Sequence, residues 1–205
     1  MGTSIKTIKI IKTAIFTVCL FIASHLHAQT IAVKSNLLYD LTSSLNIGSE
    51  IRCDDTHTLS LSINYNPWNF SNNKKMKHFL IQPEYRKWLN EIFAGSFIGI
   101  QAHYAQFNFS GMLPWGFKSG KMFGVENKLI TNNRFQGNLV GFGFSYGYQW
   151  IISPQWNLEA GLALGYAHLH YKRYGQAKGA ALIEKSQTSY WGPTQIGISL
   201  IYFIR

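Results

Sequence analysis

Charge is scarce in this 205-residue chain: 14% of its residues are Asp, Glu, Lys or Arg, against the quarter or so usual for soluble domains. Acid is scarcest, with 9 Asp and Glu against 19 Lys and Arg, which leaves a formal charge of +10. Past residue 30 no apolar run reaches 18 residues, so a bundle of membrane-spanning helices is excluded. Cysteine occurs only at Cys19 and Cys53, too few for a disulfide scaffold. The low apolar content that marks disorder is missing as well, since 46% of the chain is hydrophobic. What the chain does hold in quantity is aromatic side chains, at 15%, and 18 glycines, a balance that points to a β-rich protein.

The N-terminus reads as a processing segment. Met1 to Lys12 carries Lys6, Lys9 and Lys12 and no acid; Thr13 to Leu26 is a short apolar stretch, and Leu26-His27-Ala28 precedes Gln29 as a cleavage site. This is the order of a secretory signal peptide, and the stretch is too short for a membrane anchor. Phe16-Thr17-Val18 lacks the small residue that cleavage before a lipidated Cys19 requires. The expected division is therefore a cleaved signal over 1–28 and a single domain over 29–205. The mature domain then keeps one cysteine, Cys53, beside Asp54 and Asp55, whose charges raise a thiol pKa and argue against a reactive nucleophile.

The rest of the chain alternates with a period of two, the period of a strand whose side chains point to opposite faces. The clearest run is Leu139 to Trp150, where Val140, Phe142, Phe144, Tyr146, Tyr148 and Trp150 alternate with glycine, serine and glutamine. Trp156 to Tyr166 repeats the pattern, and Asn46–Arg52, Leu59–Asn66, Phe79–Trp88 and Gln195–Arg205 follow it. Ile31–Asp40 and Phe97–Phe107 are weaker, and together these make eight strands. A soluble barrel would put the bulky apolar face inside, but six large residues from one strand do not fit a narrow eight-stranded lumen. The pattern therefore predicts the reverse: an all-β, eight-stranded antiparallel transmembrane up-and-down barrel, apolar outside and polar inside. Its interior is expected to hold a charge network of Lys34, Asp40, Glu50, Arg52, Glu84, Arg86 and Glu159, with His103 on the same face.

Connection lengths fit that topology. Cys53–Thr56, Leu89–Ala94 and Ile152–Gln155 are short; Pro67–Lys77, Asn108–Gln136 and Lys172–Ser189 are long; only Leu41–Ser44 breaks the alternation. Outer-membrane barrels have short periplasmic turns and longer outer loops. The six tryptophans divide between the two ends, Trp88, Trp150 and Trp156 beside the short turns and Trp68, Trp115 and Trp191 toward the long loops, as two aromatic girdles. Tyr202 and Phe203 lie next to the C-terminus, like the aromatic final strand read by the outer-membrane assembly machinery, and the expected location is the cell outer membrane.

The segments VKSNLLYD (Val33–Asp40), NYNPW (Asn64–Trp68), QPEYRKW (Gln82–Trp88), SYGYQW (Ser145–Trp150), WNLEAGLALGY (Trp156–Tyr166) and WGPTQIGISLIY (Trp191–Tyr202) resemble a family of outer-membrane β-barrels of Bacteroidetes-type Gram-negative bacteria, known only as a domain of unknown function. The resemblance covers nearly all of 29–205. It implies an outer-membrane barrel, sometimes encoded near fimbria-like surface proteins, and no established activity.

Three functions are compatible with such a barrel. A narrow gated pore competes with an interior plugged by paired charges, because eight-stranded lumens are filled by side chains. A lipid A-modifying enzyme needs a Ser and a His with an acid near the outer leaflet; His168, His170 and Tyr171 and, in the last long connection, Ser186 and Ser189 are the candidates, with no His-x-Ser motif among them. Two histidines without further ligands do not make a metal site, phosphate-cradling motifs are absent, and no cofactor is expected. The favoured function is structural or surface-interacting, in envelope integrity or in association with glycolipid or a surface appendage. Its carrier is a basic collar of Lys74, Lys75, Lys77, Lys118, Lys121, Lys128, Arg134, Lys172, Arg173, Lys178 and Lys185, opposed in the long connections only by Glu126 and Glu184. Lipopolysaccharide phosphates suit such a collar. Nucleic acid is not an expected partner of an exported membrane protein.

Overall fold

A computed structural model describes residues 31–72, 74–112, 120–122, 125–177 and 179–204. Strands β1 (Ile31–Asn36), β2 (Leu45–Arg52), β3 (His57–Asn66), β4 (Lys75–Trp88), β5 (Gly95–Ser110), β8 (Asn133–Ile151), β9 (Trp156–Gly175) and β10 (Leu182–Ile204) form a closed ring in which each chain neighbour is a spatial neighbour. Every pairing is antiparallel, so the protein is all-β with up-and-down connectivity, and β1 closes the ring against β10 with Asn36 opposite Ser199. Between β5 and β8 lie a small hairpin, β6 (Lys121–Met122) and β7 (Val125–Glu126), and a short helix, α2 (Asn127–Asn132).

The radial order is inverted relative to a soluble barrel. Inward positions of β8 from Phe135 to Gln149 are buried or half-buried, whereas outward Val140, Phe142, Phe144, Tyr146, Tyr148 and Trp150 are exposed, Phe144 at 69%. The same phase runs through every strand: Ile47, Leu61, Ile98, Ile100, Leu162, Leu164 and Ile198 face out, while Glu50, Ser60, Gln82, Glu84, Gln101 and Glu159 are buried.

Three departures from the sequence reading matter for the site. First, β1 stops at Asn36, and Leu37–Leu41 forms a helix, α1, capped by the Asn36 side chain accepting from the Leu38 N–H at 3.0 Å. The apparent alternation up to Asp40 hid this turn. Second, the strands overrun the predicted ones at the loop end: β9 continues to Gly175, and β10 begins at Leu182 rather than Gln195. Above the apolar band the outward face turns polar, so the outward apolar alternation stops there. Third, β10 has a register shift between Pro193 and Gln195 that reverses which residues face out: Trp191 above it and Ile196 and Ile198 below it are all exposed. A one-residue slip always exchanges the two faces.

Candidate functional site

The lumen is layered. At the turn end Ala32, Trp88, Phe93, Phe97, Ile201 and Phe203 form a buried apolar plug. Its rings meet at 5.1 to 5.8 Å, and Trp88 Nε1 donates to Thr58 Oγ1 at 3.1 Å. Trp88 is 2% exposed, so it belongs to the interior and not to a girdle. The even-numbered residues of β4 point inward, and Trp88 follows Glu84 and Arg86 in that phase.

Above the plug lies the charge cluster, centred on Arg86. One guanidinium nitrogen donates to Glu50 Oε2 at 2.9 Å and Glu159 Oε2 at 2.6 Å, the other to Glu84 Oε2 at 2.8 Å and Glu159 Oε1 at 3.1 Å. Lys34 Nζ adds a bond to Glu50 at 3.2 Å and lies 3.8 Å from Glu159. Thr58 Oγ1 donates to Glu50 Oε1 at 2.6 Å, Ser145 Oγ donates to Glu84, and the guanidinium stacks 4.1 Å above the Phe97 ring. Bonds from β4 to β2 and β9 cross the lumen. Buried charges persist only when paired in this way.

Asp40 and Arg52 fall outside the cluster. Asp40 ends up on α1, exposed, where it accepts from Ser35 Oγ at 2.9 Å and Asn46 Nδ2 at 2.8 Å. Arg52 shares the inward phase of Glu50 but sits at the last residue of β2, so its side chain reaches the turn, where it donates to the Asp54 carbonyl at 3.0 Å and pairs with Asp55. The cluster is then three carboxylates, Glu50, Glu84 and Glu159, against two cations, Lys34 and Arg86.

Glycines opposite these side chains give them room. A Cβ on Gly48 would lie 2.7 Å from Lys34 Cγ, and one on Gly147 would lie 2.3 Å from Phe97 Cζ. Gly48 and Gly147 thus accommodate large partners there.

The loop half of the lumen holds a cavity of about 330 Å³. Met76, Leu80, Phe107, Leu139 and Leu169 line it with few polar groups, and α1 contributes Leu38 and Tyr39. His103, a residue of the predicted polar face, lines it too. An apolar chamber in this half was not legible in the sequence. Its inward residues, such as Leu139 and Leu169, alternate with Gln136, Asn138 and His170 on the outside, so the apolar face changes sides above Val140.

On the outer surface Trp150 and Tyr148 pair at 4.8 Å and Trp156 and Tyr202 at 4.9 Å near the turns. Trp191, 72% exposed, stands 5.1 Å from Tyr166 toward the loops, where Trp68 also donates to the Ser43 carbonyl at 2.8 Å. Trp115 lies outside the described residues. Above Tyr166 the outward residues turn polar: His168, His170 and Lys172 on β9, Lys185, Gln187 and Ser189 on β10.

Of the collar residues, Lys118 and Lys178 lie outside the described residues. Lys74, Lys121, Lys128, Lys172 and Lys185 are exposed; Lys75, Lys77, Arg134 and Arg173 are partly exposed. Lys75, Lys77, Arg134, Lys172, Arg173 and Lys185 sit on strand extensions rather than in loops. Arg173 pairs with Glu184 at 2.7 Å, and Arg134 lies 4.4 Å over Tyr174.

The histidine and serine candidates are partly brought together. His168 stands opposite Ser189 in the β9–β10 register, with Nδ1 3.0 Å from Ser189 Oγ, and Tyr166 Oη is 2.8 Å from the same hydroxyl. His170 packs on His168 at 4.7 Å, and Tyr171 points to the interior cluster of Val125, Ile130 and Phe135. Among the described residues the contacts of this outward trio include no carboxylate of the kind that orients the imidazole in a Ser-His-Asp triad. Among the described residues no group of three His, Cys, Asp or Glu side chains is placed to hold a metal ion. Cys53 is exposed in the turn, and desolvation at the rim, then the Asp54 charge, push its thiol up.

A family model matches residues 14–204. The chain belongs to DUF3575, a family of proteins of unknown function. No curated protein and no solved structure matches it. The site of this DUF3575 chain therefore has to be read from its own geometry: a lumen sealed in the turn half, chambered in the loop half, and ringed by cations above an apolar outer band.

Proposed function

We propose that this chain is an exported outer-membrane barrel of a Gram-negative envelope, non-conducting and non-enzymatic. Its basic loop end associates with glycolipid phosphates or an anionic surface partner. The observation that carries the reading is the inverted radial order: a continuous outward apolar face between two aromatic rings, with the charges inside or toward the two ends. On β9 the face runs from Trp156 to Tyr166. Ten steps of about 3.3 Å each, tilted by about 40°, span about 25 Å, the height of the lipid-facing band of such barrels. The signal-like segment over 1–28 supports export, and the aromatic end of β10 suits recognition by the assembly machinery. The cationic residues beyond the Tyr166 level would meet lipopolysaccharide, and a fimbria-like appendage is a further candidate partner.

Two measurements test this. Fractionation of the producing cells should find the processed chain in the outer membrane, extracted only by detergent and heat-modifiable on gels; an intact soluble chain in the periplasm overturns the membrane reading. Replacing Lys74, Lys75 and Lys77 with Gln should lower the lipopolysaccharide retained on the purified barrel, most at low salt, because exposed charges are screened over about 10 Å at 0.1 M. Equal retention at every salt concentration removes the collar from the function.

A further inference from the structure

The ring is closed unevenly. β1 pairs with β10 only from Ile204 to Ser199, and among the described residues no strand pairs with that edge of β10 from Leu182 to Ile198. Beyond Asn36 the place of a strand is taken by α1, five residues long, none of them buried, packed against β10 and β2. Trp191 marks the loop-side aromatic ring, so the stretch from Gly192 to Ile198 runs along an open edge at the depth of the apolar band.

Hydrocarbon does not tolerate an open sheet edge; irregular backbone at that depth persists where it is covered or lines a cavity. This edge has both features. Pro193 carries no N–H to leave unsatisfied, and the Tyr190 hydroxyl donates to the Pro193 carbonyl at 3.3 Å. Thr194 and Gln195, at the register shift, line the loop-half cavity together with Pro193 and Ile196. Ile196 is decisive. It faces outward and is 61% exposed, yet it lines the cavity, as does exposed Pro193. The strand residues that line it from β4, β5, β8 and β9 all have the inward phase. At this edge, beside α1, the lining therefore includes residues that face outward, unlike the lining from the other strands.

We propose that this chamber binds a linear aliphatic chain, entering laterally between β10 and α1 from the apolar band. The volume falls at the lower end of the range of about 300–1,000 Å³ found for ligand sites. Phe107, Leu139 and Leu169 offer a water no side-chain partner, and the polar groups of the lining are confined to residues such as His78, Gln82, His103 and Thr194. Lateral entry rests on the membrane reading above; the chamber itself does not.

The test uses the purified full-length barrel in phosphatidylcholine bilayers doped with a phospholipid carrying a diazirine in one acyl chain. After photolysis, adducts are mapped by mass spectrometry. The expected result is labelling of inward Leu139, Leu169 and Phe107 as well as outward Phe144 and Leu164. Leu139→Trp, and independently the smaller filling variant Ala105→Phe, should abolish the inward adducts and leave the outward ones, which also report that each variant is folded. Outward adducts alone from the wild type overturn the proposal while the membrane reading stands. No adducts on either face overturn both. A diazirine fatty acid added from solution forms the second arm; inward labelling by that probe alone overturns lateral entry.

Discussion

Two arginines that the strand phase treats alike are expected to behave very differently. Arg86 is 2% exposed and bonded to three carboxylates, whereas Arg52 is 39% exposed at a turn. Arg86→Ala leaves Glu50, Glu84 and Glu159 facing one another without their shared cation, and should cost about 3–5 kcal/mol. Arg52→Ala removes an exposed ion pair and should cost no more than about 1 kcal/mol. Urea unfolding of the detergent-solubilised barrel, followed by tryptophan fluorescence, separates the two; equal losses overturn the distinction. Asp54 supplies the pH dependence. Its carboxylate accepts the Thr56 N–H at 2.7 Å, then bonds the His57 side chain at 2.9 Å, and is held at about 2, below the ordinary 3.8. A depressed carboxyl pKa gives stability that is present above the unfolded value near 4 and lost as pH falls through the folded one near 2. The Asp54 carboxyl should therefore titrate near pH 2 by NMR, and Asp54→Asn should remove the acid dependence of the turn in that window. A midpoint near 4 in the folded protein overturns this.

At the level of the element, the glycines of the strands differ in what they permit. Gly147 on β8 leaves room for Phe97, the ring on which Arg86 stacks. Gly147→Val should overpack that junction and destabilise the barrel by about 1–3 kcal/mol. Gly161 on β9 is a control, since an added Cβ there meets only the Tyr146 carbonyl at 3.7 Å; Gly161→Ala should leave the unfolding midpoint nearly unchanged. The sequence carries the phase of most strands because outward bulk and inward polarity contrast sharply between residues such as Phe144 and Ser145. It carries the strand ends poorly. On β10, Glu184 to Ser189 is polar on both faces, so the strand from Leu182 to Ser189 reads as loop. Trp88 was misplaced because an aromatic beside a turn fits a girdle as well as a plug; only the phase it shares with Glu84 and Arg86 separates the two. Asn36, a helix-capping residue type, was the available signal for α1.

For the whole molecule the question is whether any path crosses the barrel. The loop-half cavity ends downward on Tyr39 and Gln82, which also line a much smaller space of about 20 Å³ beside Lys34 and Glu159. Beneath that, Arg86 ties β4 to β2 and β9 across the lumen, and the aromatic plug fills the turn end. An ion entering from the loops would have to part four charge-assisted bonds and then displace Trp88, Phe93, Phe97 and Phe203. Bonds of this kind are roughly twice as strong as neutral ones. Purified protein in planar bilayers is therefore expected to give no steady unitary conductance of porin size. The lateral entry proposed beside α1 does not alter this, because it would lead into the loop half and not toward the turns. Large, long-lived steps from the wild-type barrel would overturn the sealed reading and favour a pore. Steps that appear only in Arg86→Ala would instead identify the charge cluster as the seal, with the aromatic plug too weak to hold the lumen shut without it.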